Sequence, residues 1–255
     1  MNNKTPALFV SHGNPMLALD KEGARDYQAW GQTLGKPKAI LIFSAHWEEE
    51  ELMFGETSDH DTLVYDFYGF PEALYQIHYP APGAPWLKNQ ISELLSEKIP
   101  QSPRGLDHGV WVPFLHMWPN ADIPILQMSL PSSYSEQQLM DLGNRLAPLR
   151  KHGVMIIGGG TLTHNLREGL SGKHTTPPHW VVEFDQWVEN TLTEEPSKLI
   201  HWQHQAPYAK RNHPTNEHFR PLLIAAGAAS KEEKPTFPIT GYDMHVFSKR
   251  SVAFA

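Results

Sequence analysis

Three apolar runs in this chain of 255 residues are each followed closely by a histidine. ALFVS, residues 7–11, leads to His12; AILIFSA, residues 39–45, leads to His46; VMIIGGGTLT, residues 154–163, leads to His164. Two more histidines stand in polar company: His108 in GLDHGVW, beside Asp107, and His218 in PTNEHFRPLL, preceded by Glu217. Neutral imidazole is the commonest metal ligand, and its ordinary pKa also suits it to acid–base work near neutrality. The chain has no cysteine, so a transition-metal site here draws on imidazole and carboxylate alone. A lone histidine at a strand exit is more often a hydrogen-bonded edge residue. The same pattern at both His12 and His46 favours a shared metal.

These side chains need elements that bring strand ends together. The runs that carry them read as buried strands. ADIPILQMSL reads as another, with Pro124 marking its start or an edge position. Helices are expected near 21–34, 86–98, 135–151 and 178–192. The third is opened by a Ser133-x-x-Glu136 capping box and distorted at its end by Pro148. TNEHFRPLLIAAGAA starts as a capped helix at Thr215 or Asn216. That places His218 in the first turn, where the positive end of the helix dipole keeps an imidazole neutral. The tail YDMHVFSKRSVAFA reads as a hairpin turning near Lys249-Arg250. Alternating strands and helices with a late hairpin predict an α/β fold. It is one domain over residues 1–255, with a mixed central β-sheet covered by helices on both faces. In such sheets ligands gather outside the carboxyl ends of the strands.

Composition narrows the function classes. Forty per cent of residues are hydrophobic and the net charge is −7, which argues against nucleic acid as a partner because phosphate binding needs a cationic face. No apolar run is long enough to span a membrane, no basic run marks a membrane surface, and MNNKTPALFV lacks the pattern of a signal peptide. A cytoplasmic setting is expected. GGGT at 158–161 lacks the lysine of a phosphate loop, so its glycines read as a tight strand exit that gives a ligand room. Glu48 to Glu51 read as a solvated turn. Most of the remaining histidines, including His60 and His213, read as surface or interface residues.

The motifs ALFVSHGNPM, SAHWEE, DFYGFPEALYQIHYPAPG, LDHGVWVPFLHMWP, GGGTLTHNLR and PTNEHFRPLLIAAGA occur in this order across essentially the whole chain. As an ordered set they resemble the class III extradiol ring-cleavage dioxygenase superfamily, in its 4,5-DOPA dioxygenase extradiol branch. The resemblance implies a metal-dependent enzyme that cleaves a catechol ring with O2, converting L-DOPA or a related catechol to a muconic semialdehyde. It makes His12, His46 and His218 metal ligands, with His164 near enough to count as a fourth. His164 takes the place of the acid–base histidine, and His108 that of a second active-site histidine. The usual oxygenase site has two histidines and one carboxylate; here the third position is His218. If Glu217 stays outside, the site is all-imidazole, which suits zinc at least as well as iron. Zn(2+) is then expected in the purified protein, and Fe(2+) as the metal that supports oxygenation. The segment Tyr65–Tyr79 reads as a pocket wall or as ordinary loop packing. The expected partners are a small catechol and O2, with no nucleic acid and no membrane, in a monomer or small homo-oligomer. Two alternatives remain on the sequence alone: a zinc-dependent hydrolase on the same site, and a non-catalytic metal-binding protein.

Overall fold

Alternate side chains of the central strands point into two separate cores. A computed structural model describes residues 4–255; the first three residues of the stretch read above as lacking a signal peptide lie outside it. In β1 (Ala7–Ser11), Ala7 and Phe9 face one core and Leu8 and Val10 the other. In β2 (Ala39–Glu49), Leu41 and Phe43 oppose Ile40 and Ile42 in the same way. Burial on both faces is why these strands read as unbroken apolar runs. The helices Glu136–Leu146 and Arg220–Ala228 cover the first face, and Arg25–Leu34 and His108–Met117 the second.

The other strands are β3 (Ile125–Pro131), β4 (Val154–Gly160), β5 (Pro235–Ile239), β6 (Tyr242–Asp243), β7 (Phe247–Ser248) and β8 (Ser251–Phe254). The main sheet has six strands in the order β3-β2-β4-β1-β8-β5. The pairs β3–β2, β2–β4 and β4–β1 are parallel, whereas β8 runs antiparallel to both β1 and β5. The fold is therefore a single-domain α/β architecture with a mixed sheet. Among the described residues no helix is long and apolar enough to cross a membrane. Ser11 lies opposite Gly160, and Ser44 opposite Gly159, so the carboxyl ends of three parallel strands are level at one edge.

Several local expectations need correction. The hairpin turns at Met244 and His245, both at positive φ, between β6 and β7; Lys249 and Arg250 instead lead into β8, which joins the main sheet. The capping box is Ser135 with Gln138, two residues beyond the predicted one. Pro124 precedes β3, which starts at Ile125 and is also an edge strand, so both readings of that proline hold. Glu48 and Glu49 belong to β2, where Glu48 pairs with the buried Arg220 at 3.3 Å. His60 and His213 are core residues, each with Nε2 against a backbone carbonyl, of Ile125 and Leu162 respectively.

The glycines of β4 make room for backbone, where the sequence suggested a ligand. A Cβ on Gly158 would lie 2.2 Å from the Pro221 carbonyl oxygen, and one on Gly160 2.2 Å from that of His218. Gly159 faces the other way, towards the Gly109 carbonyl. Two segments that carry histidines thus seat directly on the end of β4.

Candidate metal centre

Each of five imidazoles arrives by its own route. His12 follows β1, its backbone N–H donating to the Gly160 carbonyl at 2.9 Å, and Gly13 turns the chain away at φ +70°. His46 lies within β2, beyond the predicted strand end, where the register against β3 slips between Phe43 and Glu48. Such irregularities re-aim a side chain at a sheet edge. The backbone there is held by Arg104, which donates to the His46 carbonyl at 2.9 Å, and by Ser44 Oγ, which accepts from the His46 N–H at 3.2 Å. His108 opens the helix His108–Met117, capped by the buried Asp107. Asp107 accepts from Gly109 N–H, Ser44 Oγ–H and Gln127 Nε2–H, which ties the helix start to β2 and β3.

His218 precedes its helix, where the sequence had placed it in the first turn. The helix begins at Arg220, with Pro221 in its opening turn, as suits proline. Burial among other imidazoles, His164 first, therefore keeps His218 neutral, and holds its pKa well below the ordinary value. Burial does the same for His46, aided by His108, and brings His12 down to about 3.

The structure brings His12, His46 and His218 together, with one nitrogen of each within 4.8 Å of the others. The outer nitrogens of all three rings face oxygen atoms. His12 Nδ1 is 2.6 Å from the Gly13 carbonyl oxygen, His46 Nδ1 is 3.4 Å from Asp66 Oδ2, and His218 Nδ1 is 3.0 Å from Glu217 Oε1. A carbonyl or carboxylate oxygen only accepts, so His12 and His218 each carry the ring's single proton on Nδ1 and a lone pair on Nε2. The Nε2 atoms of His12 and His46 are 3.1 Å apart, and His218 Nε2 is buried without a hydrogen-bond partner among the described residues. Three imidazole nitrogens converging in this way fit a divalent cation. Glu217 occupies the outer nitrogen of His218, so this group of three is all-imidazole.

His164 stands beside this group. Its ring stacks on His218 with centroids 3.4 Å apart and planes at 11°, and it groups with Glu217 and His218. His108 lies on the other side, its ring centroid 3.9 Å from that of His46 and 5.4 Å from that of His12. Phe67 meets His108 edge-on at 5.6 Å and packs with Tyr65, Tyr75 and Trp111. Part of the aromatic segment thus borders the site. Tyr79 is instead core, donating to the Trp118 carbonyl, and Tyr68 is 92% exposed. Sequence reading missed Asp66, whose carboxylate touches both His46 and His108. An acid between aromatics in YDFYGF was the available signal.

The sequence and the fold match known proteins along almost the whole chain. Residues 6–255 match the family model described as the catalytic LigB subunit of aromatic ring-opening dioxygenase. A Beta vulgaris protein named 4,5-DOPA dioxygenase extradiol is 40% identical, over 99% of this chain and 97% of its own length. One of the same name from Escherichia coli (strain K12) is 36% identical, over 98% of this chain and 95% of its own. A crystal structure of an uncharacterized protein from Escherichia coli K12 superposes with a TM-score of 0.83 at 34% identity, covering 99% of this chain and 100% of that one.

Proposed function

We propose a substrate, a metal and residue roles for this chain, which belongs to the family of the catalytic LigB subunit of aromatic ring-opening dioxygenase. It is a metal-dependent extradiol dioxygenase that opens a catechol with O2. The observation that carries the proposal is the pair of Nε2 atoms, of His12 and His46, facing each other at 3.1 Å, with His218 Nε2 beside them. His12, His46 and His218 would hold the metal. A divalent metal there supplies Lewis acidity towards the catechol oxygens and, as Fe(2+), the one-electron chemistry that zinc lacks. Fe(2+) is therefore the working metal, and Zn(2+), which favours such a donor set, the ion expected on purification.

The protein residues handle orientation and protons. Burial brings His164 down to about 4 against the opposing pull of Glu217, so it stands neutral at pH 7 with a lone pair free. It accepts a catechol proton at a ring nitrogen and returns it as the ring opens. His108 Nδ1 is committed to Asp66 at 2.8 Å, which leaves Nε2 to accept a hydrogen bond from the substrate hydroxyl. Phe67 and its aromatic neighbours form a wall that suits an aromatic ring. L-DOPA is the proposed substrate type, supported by the two relatives above, whose names carry that activity.

The test is a panel of catechols with Fe(2+)-loaded protein, followed by absorbance of the yellow ring-opened product. L-DOPA should give the highest kcat/KM, with catechol and 4-methylcatechol below it. Turnover of the simple catechols without turnover of L-DOPA would overturn the substrate assignment and leave the reaction class standing.

A further inference from the structure

One carboxylate reaches two of the imidazoles in this site. Asp66 Oδ1 is 2.8 Å from His108 Nδ1 and accepts the His108 backbone N–H at 3.2 Å, while Oδ2 is 3.4 Å from His46 Nδ1. We propose that Asp66 is a positioning residue that sets the tautomers of His46 and His108 together, so that each presents an Nε2 lone pair to the site. The proposal rests on the metal reading above.

A carboxylate has acceptor oxygens only, and a neutral imidazole has one proton to give. With Asp66 ionised, both rings place that proton on Nδ1. His46 has the most at stake. If its proton moved to Nε2, that N–H would point at His12 Nε2, 3.1 Å away. The two rings would then form an N–H···N hydrogen bond in the place where a cation would otherwise bind.

The loop does not depend on this carboxylate for its course. Val64 N–H donates to the Leu106 carbonyl at 2.8 Å, and Tyr65 Oη–H to the Ile77 carbonyl at 2.6 Å. The Asp66 side chain is 19% exposed, so its replacement leaves no deep cavity. The same short segment carries Phe67, which meets His108 edge-on. Ring wall and tautomer control therefore belong to one loop.

Asp66→Asn keeps shape and changes only the hydrogen-bond code. An amide offers one oxygen and one NH2. The oxygen goes to His108, where Asp66 makes its two shorter contacts, and the NH2 then faces His46 Nδ1. His46 must answer with a lone pair on Nδ1 and a proton on Nε2. The experiment measures Zn(2+) affinity of metal-free wild type and Asp66→Asn by chelator competition, and reads the His46 tautomer from imidazole 15N shifts of the same samples. The expected result is a 10–100-fold weaker Zn(2+) affinity, the usual effect of removing an outer partner of a metal-bound histidine, with His46 protonated at Nε2 in the metal-free variant. Asp66→Ala, which offers neither group, should also weaken Zn(2+) binding, with His46 divided between tautomers. Wild-type affinity and unchanged tautomers in both variants would overturn the proposal. Wild-type protein that bound no Zn(2+) would instead overturn the metal reading, and the proposal with it.

Discussion

Exchange of His218 for alanine is expected to abolish tight metal binding and ring opening while the fold survives. Loss of an outer partner alone costs about 10–100-fold in affinity, so loss of one imidazole of three should exceed that. The His218 side chain makes one hydrogen bond, to Glu217, and its backbone carbonyl, which accepts from Thr161 N–H, is untouched. Metal content after reconstitution, chelator competition and circular dichroism check this. His164→Ala makes the contrast, because His164 stacks on His218 and stands outside the group of three. It should retain most metal and lose roughly 10²–10⁴-fold in turnover, the range for a general acid–base group. If His164→Ala lost metal as completely as His218→Ala, His164 would be a ligand.

The second large effect lies in the backbone. Gly160→Ala places a methyl 2.2 Å from the His218 carbonyl oxygen, and main chain cannot step aside as a flexible side chain does. The segment carrying His218 must lift off the end of β4. Overpacking of this kind costs about 1–3 kcal/mol; the upper end is expected here, with weaker metal binding because His218 moves with its backbone. Denaturant unfolding and the Zn(2+) affinity of the same variant test both halves. Wild-type stability together with wild-type affinity would show that the close approach has no role in placing His218.

What could be read from the sequence divides along physical lines. His12 and His164 follow apolar runs that end sharply, and runs buried on both faces are legible without knowledge of their neighbours. The mixed sheet followed from the late hairpin, although β8 reached the sheet by another turn. His46 lay further inside β2 than expected, because SAHWEE has no break where the register slips. His218 was placed one turn too deep in a helix; Pro221 in the opening turn was the better marker of its start. The glycines of β4 were recognised as space, but their occupants, Pro221 and His218, come from far along the chain. Asp66 showed only as an acid among aromatics, and its role stayed hidden for the same reason. Its contacts with His46 and His108 depend on how distant loops return to one sheet edge.

The most direct test of the whole account is oxygen stoichiometry with a defined metal. Metal-free protein would be loaded anaerobically with Fe(2+), or separately with Zn(2+), then mixed with L-DOPA and air while O2 and product absorbance are recorded together. The account predicts one O2 consumed per ring-opened product with Fe(2+), and neither uptake nor colour with Zn(2+). No O2 uptake with Fe(2+) and any catechol, beside tight Zn(2+) binding and Zn(2+)-dependent hydrolysis without air, would contradict it.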